Sequence, residues 1–137
     1  LRREGSPMSF ESDLERFARR VGKSLDETCR GITIKWFSGT IMSTPVDTGR
    51  LRGNWQASQE SPTSGTTADV DKGGGATIAK AVRKIGGAGS VNYLVNNLDY
   101  AEKIEFGGSS QAPRGMVRIN HARILRIVKQ VAAENQV

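Results

Sequence analysis

The chain has 137 residues, 36% of them hydrophobic and 25% charged, with a formal net charge of +6. That length suits one domain with a modest core, and no apolar run approaches the ~20 residues that a membrane-spanning helix needs. One cysteine, Cys29, excludes an internal disulfide, and its place in a helical pattern predicts a small buried hydrophobe. Leu1 to Pro7 read as a remnant ahead of a natural start at Met8, and a terminus so polar is no signal peptide. A cytoplasmic site of synthesis is expected.

From about Ser9 to Met42, Phe10, Leu14, Phe17, Val21, Leu25, Cys29, Ile32 and Trp36 recur at spacings of three or four, which draws one apolar stripe on a helix. Ser12-Asp13-Leu14-Glu15 has capping-box form, and Ser9 offers a start one turn earlier. At 1.5 Å per residue the helix is roughly 50 Å long, more than a domain of this size covers alone. It either bends, at Gly22, Gly31 or Gly39, or packs one end on another subunit.

Pro45 stops that helix, and Asp47 and Thr48 before Gly49 form a turn. Asn54 to Gln59 alternates as a half-buried strand with Trp55 and Ala57 on one face. Glu60 to Gly75, rich in Ser, Thr, Gly and Asp, reads as a mobile loop with a short extended piece near Ala68 to Val70. A loop this long is often functional or ordered by a partner. A helix over Ala76 to Ile85, with Ile78, Val82 and Ile85 inward, ends at the glycines of 86–89. A strand over Ser90 to Asn96 follows, with Val91, Tyr93 and Val95 on one side.

Next comes a compact hinge. Asp99 is placed to cap a short helix, whose apolar side is Tyr100, Ile104 and Phe106, and Gly107 and Gly108 stop it. Pro113 suits the first turn of a last helix running to about Ala133. Val117, His121, Ile124, Val128 and Val131 form its apolar stripe, with Arg118, Arg123, Arg126 and Lys129 off it.

Charge is uneven along the chain. Residues 1–60 hold ten basic and eight acidic side chains, whereas Arg114, Arg118, Arg123, Arg126 and Lys129 occur with no acid between them. Such a helix could face nucleic acid or an acidic protein, or be a solvated face near a helix C-terminus. Chemistry is sparse. His121, the single histidine, reads as packed or at an edge, and Glu102 and Glu105 read as a solvated side of the hinge helix. One Cys and one His are too few for zinc. The glycine runs at 73–75 and 86–89 lack the Gly-Lys-Ser/Thr ending of a phosphate loop. No enzyme activity, metal or cofactor is expected.

Two stretches carry a resemblance. Thr44-Pro45-Val46-Asp47-Thr48-Gly49-Arg50-Leu51-Arg52-Gly53-Asn54-Trp55 is similar to one signature of a tailed-phage family. Val95 to Ala101, Ile104 to Gly107 and Gln111 to Arg118 resemble its second signature. The family is that of tail-completion or head–tail joining proteins of long-tailed phages, also described as neck or minor tail components. The likeness covers Met8 to about Val131. Asp99 stands where proline is commoner, which keeps a capping residue. Gly108 stands where a bulkier residue is frequent, which is expected to loosen the hinge.

The resemblance implies an α+β fold, with a long N-terminal helix packed on a small antiparallel sheet, a short hinge helix and a C-terminal helix. It implies a virion protein that assembles as a ring, expected as a hexamer, at the head-proximal end of the tail. There it would meet the tail-tube or tail-terminator protein and the head connector, around a channel that passes DNA. Candidate contact residues are Arg50, Arg52, Tyr100, Phe106, Arg114, Arg118, Arg123 and Arg126, although Tyr100 and Phe106 also read as ordinary core aromatics. The alternative function is that of a basic nucleic-acid-binding module.

Overall fold

The computed structural model describes residues 7–135; the side chains of 7–11, 14, 17, 18, 20 and 21 are also outside the described residues. Expectations for residues 1–6, and for the inward placing of Phe10, Leu14, Phe17 and Val21, therefore lie outside them. In chain order the elements are α1 (Pro7–Met42), α2 (Arg50–Gly53), β1 (Trp55–Gln59), α3 (Gly75–Lys84), β2 (Asn92–Asn96), α4 (Ala101–Glu105), α5 (Val117–His121) and α6 (Ile124–Asn135). β1 and β2 pair antiparallel, with Trp55 opposite Asn96, Ala57 opposite Leu94 and Gln59 opposite Asn92. This is the expected α+β arrangement.

α1 is one uninterrupted helix of 36 residues, so its glycines do not divide it. Two of them admit neighbours instead. A β-carbon on Gly31 would meet Val131 Cγ1 at 2.9 Å, and one on Gly39 would collide with the Asn120 amide. α5 and α6 thus run back along α1, from Gly39 towards Ser24, whose hydroxyl donates to the Asn135 carbonyl at 3.1 Å. α3 holds another side. The Arg30 guanidinium donates to Val82 O at 2.9 Å and Ile85 O at 3.4 Å, at the C-terminus of α3. Among the described residues no helix is long and apolar enough to cross a membrane.

The core gathers at the C-terminal part of α1. Ile41, Leu51, Trp55, Ala57, Ala81, Leu98, Ala101, Ala112 and Met116 are buried there, with Phe37, Ile78, Leu94 and Ile104 packed against them. Trp55 and Ala57 share the inward face of β1, as their alternation requires. Tyr93 and Val95 share one side of β2, as expected, and it is the side away from the core. Directly opposed residues share a face, so pairing with Ala57 turns Leu94 inward and sends Tyr93 and Val95 to the other side. Val91 precedes the strand and is exposed. In α3, Thr77 and Ala81 are the buried residues; Ile78 and Val82 are half-buried, and Ile85 is buried just past the helix end. Cys29 is exposed, not buried.

The last helix also differs. It opens at Val117 rather than Pro113, because Gly115 has φ +82° and cannot be helical. It is also interrupted at Ala122 and Arg123. Of the expected stripe only Val131 is fully inside; Val117, His121 and Val128 are exposed. Asn120 takes the buried position, donating to Met116 O at 2.7 Å and Ser43 Oγ at 3.0 Å.

The segment 44–55 is tied to the loop that follows β1. Thr44 Oγ1 donates to Thr40 O and accepts from Trp55 Nε1 at 2.7 Å, deep in the core. Arg52 donates to Met42 O, Thr44 O and Lys72 O, placing its charge at the C-terminus of α1. Asn54, fully buried, accepts from Thr67 N and donates to Thr67 O and Arg50 O. Asn97 Nδ2 donates to Thr63 O and Gly65 O. The loop therefore has no strand near Ala68 to Val70, but it is stitched down along its length. Asp71 accepts from Gly74 N, Thr77 N and Thr77 Oγ1. The Thr77 amide, above all, holds its carboxyl below the usual range.

Gly49 has φ +92°, and a β-carbon there would lie 2.8 Å from Lys72 N and 2.9 Å from Asp71 N. Gly65 has φ +81° with open space around it. Gly65→Ala should lose about 1 kcal/mol, the cost of a left-handed alanine, and Gly49→Ala at least twice that, measured by urea unfolding. Equal losses would show that the close approach is not a constraint.

Candidate functional site at the hinge cleft

The short helix α4 opens with a turn in which Ala101 N–H donates to Leu98 O at 3.1 Å. Its N-cap is Tyr100, with no side-chain cap. Asp99 lies one residue too early and is exposed, so the expected cap is not formed. The glycine stop is formed. Gly107, φ +94°, donates to Ile104 O at 3.2 Å, and Gly108 donates to Lys103 O at 2.9 Å. A β-carbon on Gly108 would lie 2.6 Å from Lys103 O, so here glycine tightens the hinge rather than loosening it.

Glu105 is the residue that sequence reasoning missed. Its carboxylate accepts from Met116 N (2.8 Å), Val117 N (2.8 Å), Arg118 N (3.0 Å) and Arg118 Nε (3.1 Å). It thereby fills the open amides at the start of α5 from a different helix. Burial raises its pKa, but these donors together outweigh burial and hold the carboxyl below its usual range. Arg118 also donates to the Glu105 carbonyl, and its guanidinium lies 4.9 Å from the centre of the Phe106 ring. No local signal marked Glu105, because its partners lie eleven to thirteen residues away.

A cleft of about 390 Å³ opens beside this hinge. Pro45 to Leu51 form one side of it, and Tyr100, Ile104, Gly108, Ser109 and Gln111 the other. Gln111 Oε1 accepts from Val46 N at 3.2 Å and closes one end. Asn96 Nδ2 donates to Leu51 O at 2.8 Å, fixing the turn to β2. Arg50 and Tyr100 line the cleft, with Tyr100 38% exposed. Phe106 is 66% exposed, outside the core. Arg114 and Arg118 border a shallower hollow with Pro113, Ile119 and Ala122. Arg123 and Arg126 lie farther along, exposed. Arg52 is on the opposite side of the turn, its terminal nitrogens taken by carbonyls of its own chain; its Nε is buried with no partner among the described residues.

The His121 ring sits 5.6 Å from that of Trp36, at the surface, as an edge histidine. Among the described residues no three His, Cys, Asp or Glu side chains are grouped to hold a metal ion. No family model, curated protein or solved structure matches this chain.

Glu105→Ala should lower unfolding free energy at pH 7 by about 1.5 to 3 kcal/mol, the usual worth of hydrogen bonds to a charged group. Its folded pKa is below the unfolded one, so its contribution is complete above about pH 4.3 and is lost as pH falls through the lowered value. The difference between wild type and Glu105→Gln, followed by urea unfolding from pH 7 to 3, should therefore shrink in acid. A difference independent of pH would contradict the role of the charge.

Proposed function

We propose that this chain is a structural virion subunit at the head-proximal end of a phage tail. It would complete the tail and join it to the head connector as one member of a ring. One observation carries the reading: the two stretches that resemble the tail-completion signatures, far apart in sequence, form the two sides of a single cleft. Most polar groups of the first stretch are spent on the fold. Those left outward, Asp47 and Arg50 on one side and Tyr100 on the other, offer a shaped surface rather than a reaction centre. No catalytic role is assigned, since Glu105 is taken up by backbone amides and Glu102 stands exposed. Copies would associate head-to-tail, and such contacts close into a ring when the rotation allows. A hexamer is the expected size, with the tail-tube or tail-terminator protein on one face and the connector on the other.

A second reading, a nucleic-acid-binding module, is favoured by Arg114, Arg123, Arg126 and Lys129. All four are exposed and without ion-pair partners among the described residues. Light scattering over a range of concentrations, alone and with tail-tube protein, separates the two. The ring reading expects one closed, larger species that duplex DNA does not require. A strict monomer under all these conditions, binding duplex with an affinity that falls steeply with salt, would overturn it.

A further inference from the structure

We infer that the groove beside the free edge of β1 takes an extended, acidic segment of a partner protein as a third strand. This surface is separate from the hinge cleft and does not depend on the ring reading. The groove holds about 220 Å³. Its lining takes Trp55 and Ala57 from one face of β1, Gln56 from the other and nothing from β2, so it runs along the edge that β2 leaves free. The loop at Thr63 and Asp69 forms one wall and α3 the other. The sheet has two strands, and among the described residues no backbone group outside it bonds to residues 55–58. Along an antiparallel strand every second residue turns its N–H and C=O away from the partner strand, so β1 offers donors and acceptors to the groove. Its sequence, Trp-Gln-Ala-Ser-Gln, has neither the charge nor the proline that keeps other chains off an edge. A strand laid there would extend a sheet that is marginal at two strands.

The walls choose the occupant. Three cations line the groove, Lys80, Arg83 and Lys84, against one acid, Asp69. Asp69 is taken by Lys80 at 2.5 Å. Arg83 and Lys84 are exposed and have no ion pair among the described residues. Acids at alternate positions of an added strand share one face and would meet these two charges. The space is smaller than the roughly 300–1,000 Å³ of a small-molecule site, which favours a chain lying across it. A second copy does not fit the charge. Setting β1 against β1 would bring the cations of one groove onto those of the other, and the loop acids Asp69 and Asp71 are tied within their own chain. A DNA backbone would satisfy the cations but brings no donors for the carbonyls of the edge.

The test is fluorescence anisotropy of a fluorescein-labelled peptide, Glu-Val-Glu-Val-Glu-Val, titrated with the full chain. The proposal expects saturable binding at least tenfold tighter than that of Lys-Val-Lys-Val-Lys-Val. Glu-Pro-Glu-Pro-Glu-Pro keeps the charge but cannot form a strand, and it should bind at least tenfold more weakly. Arg83→Glu with Lys84→Glu, its fold checked by circular dichroism, should cost at least tenfold, while Arg126→Glu with Lys129→Glu should change nothing. Equal binding of the proline peptide would show that charge alone holds the probe and would overturn the added strand. Binding that survives the reversal at Arg83 and Lys84, or no binding of the acidic peptide, would overturn the site. Duplex DNA that binds in place of the peptide and is lost on the same reversal would assign the groove to nucleic acid instead. None of these results bears on self-association, so the ring reading stands or falls separately.

Discussion

The close passage of the 67–72 backbone over the 49–54 turn is the constraint on which the other features depend. Gly49 and Gly53 have no room for a side chain because Asp69, Asp71 and Lys72 cross within about three ångströms. That crossing lets Asn54 satisfy the loop and lets Arg52 reach Lys72 O while still holding the end of α1. It also positions Asp71 to cap α3, which packs on β1 and supports the sheet. A two-stranded sheet is marginal by itself. Here one face is covered by the core that α1 and α3 complete, and the polar stitching fixes its register.

A second economy concerns charge. Two acids that could have balanced the surface, Asp71 and Glu105, are instead committed to open amides at helix starts. Arg52 and Arg30 are likewise committed to carbonyls at helix ends. The one acid of α6, Glu134, faces Lys35 on α1, so Arg126 and Lys129 keep their charge at the surface. The molecule thus divides its polar residues. One set closes helix termini inside the fold; the other, on α6 and around the hinge cleft, faces outward with exposed apolar side chains beside it. Both outward surfaces lie on elements that the inward set holds in place.

What was legible in the sequence was local and periodic. The long first helix, the Trp55–Ala57 alternation and the glycine stop after Phe106 each follow from neighbours within a turn or two. What was not legible depended on distant partners. Asp99 looks like a cap, but the opening turn at Leu98 puts the N-cap at Tyr100. Both faces of β2 carry apolar residues, and only pairing with β1 chooses Leu94 over Tyr93 and Val95. Pro113 suits a helix start, yet Gly115 forbids one until Val117. The cleft itself joins segments some fifty residues apart, which no spacing rule connects. Asp71 was the exception: an acid three residues before Gly74 and six before Thr77, at the head of a helical pattern, could have been read as its cap.

We propose that this chain works by its outline, as a ring-forming piece that closes a tail and joins it to a head. Electron microscopy of particles from a phage whose gene for this chain is deleted tests it most directly. The account predicts filled heads and finished tails that stay apart, and that join when the purified protein is added. Intact particles with sealed, attached tails in its absence would contradict it.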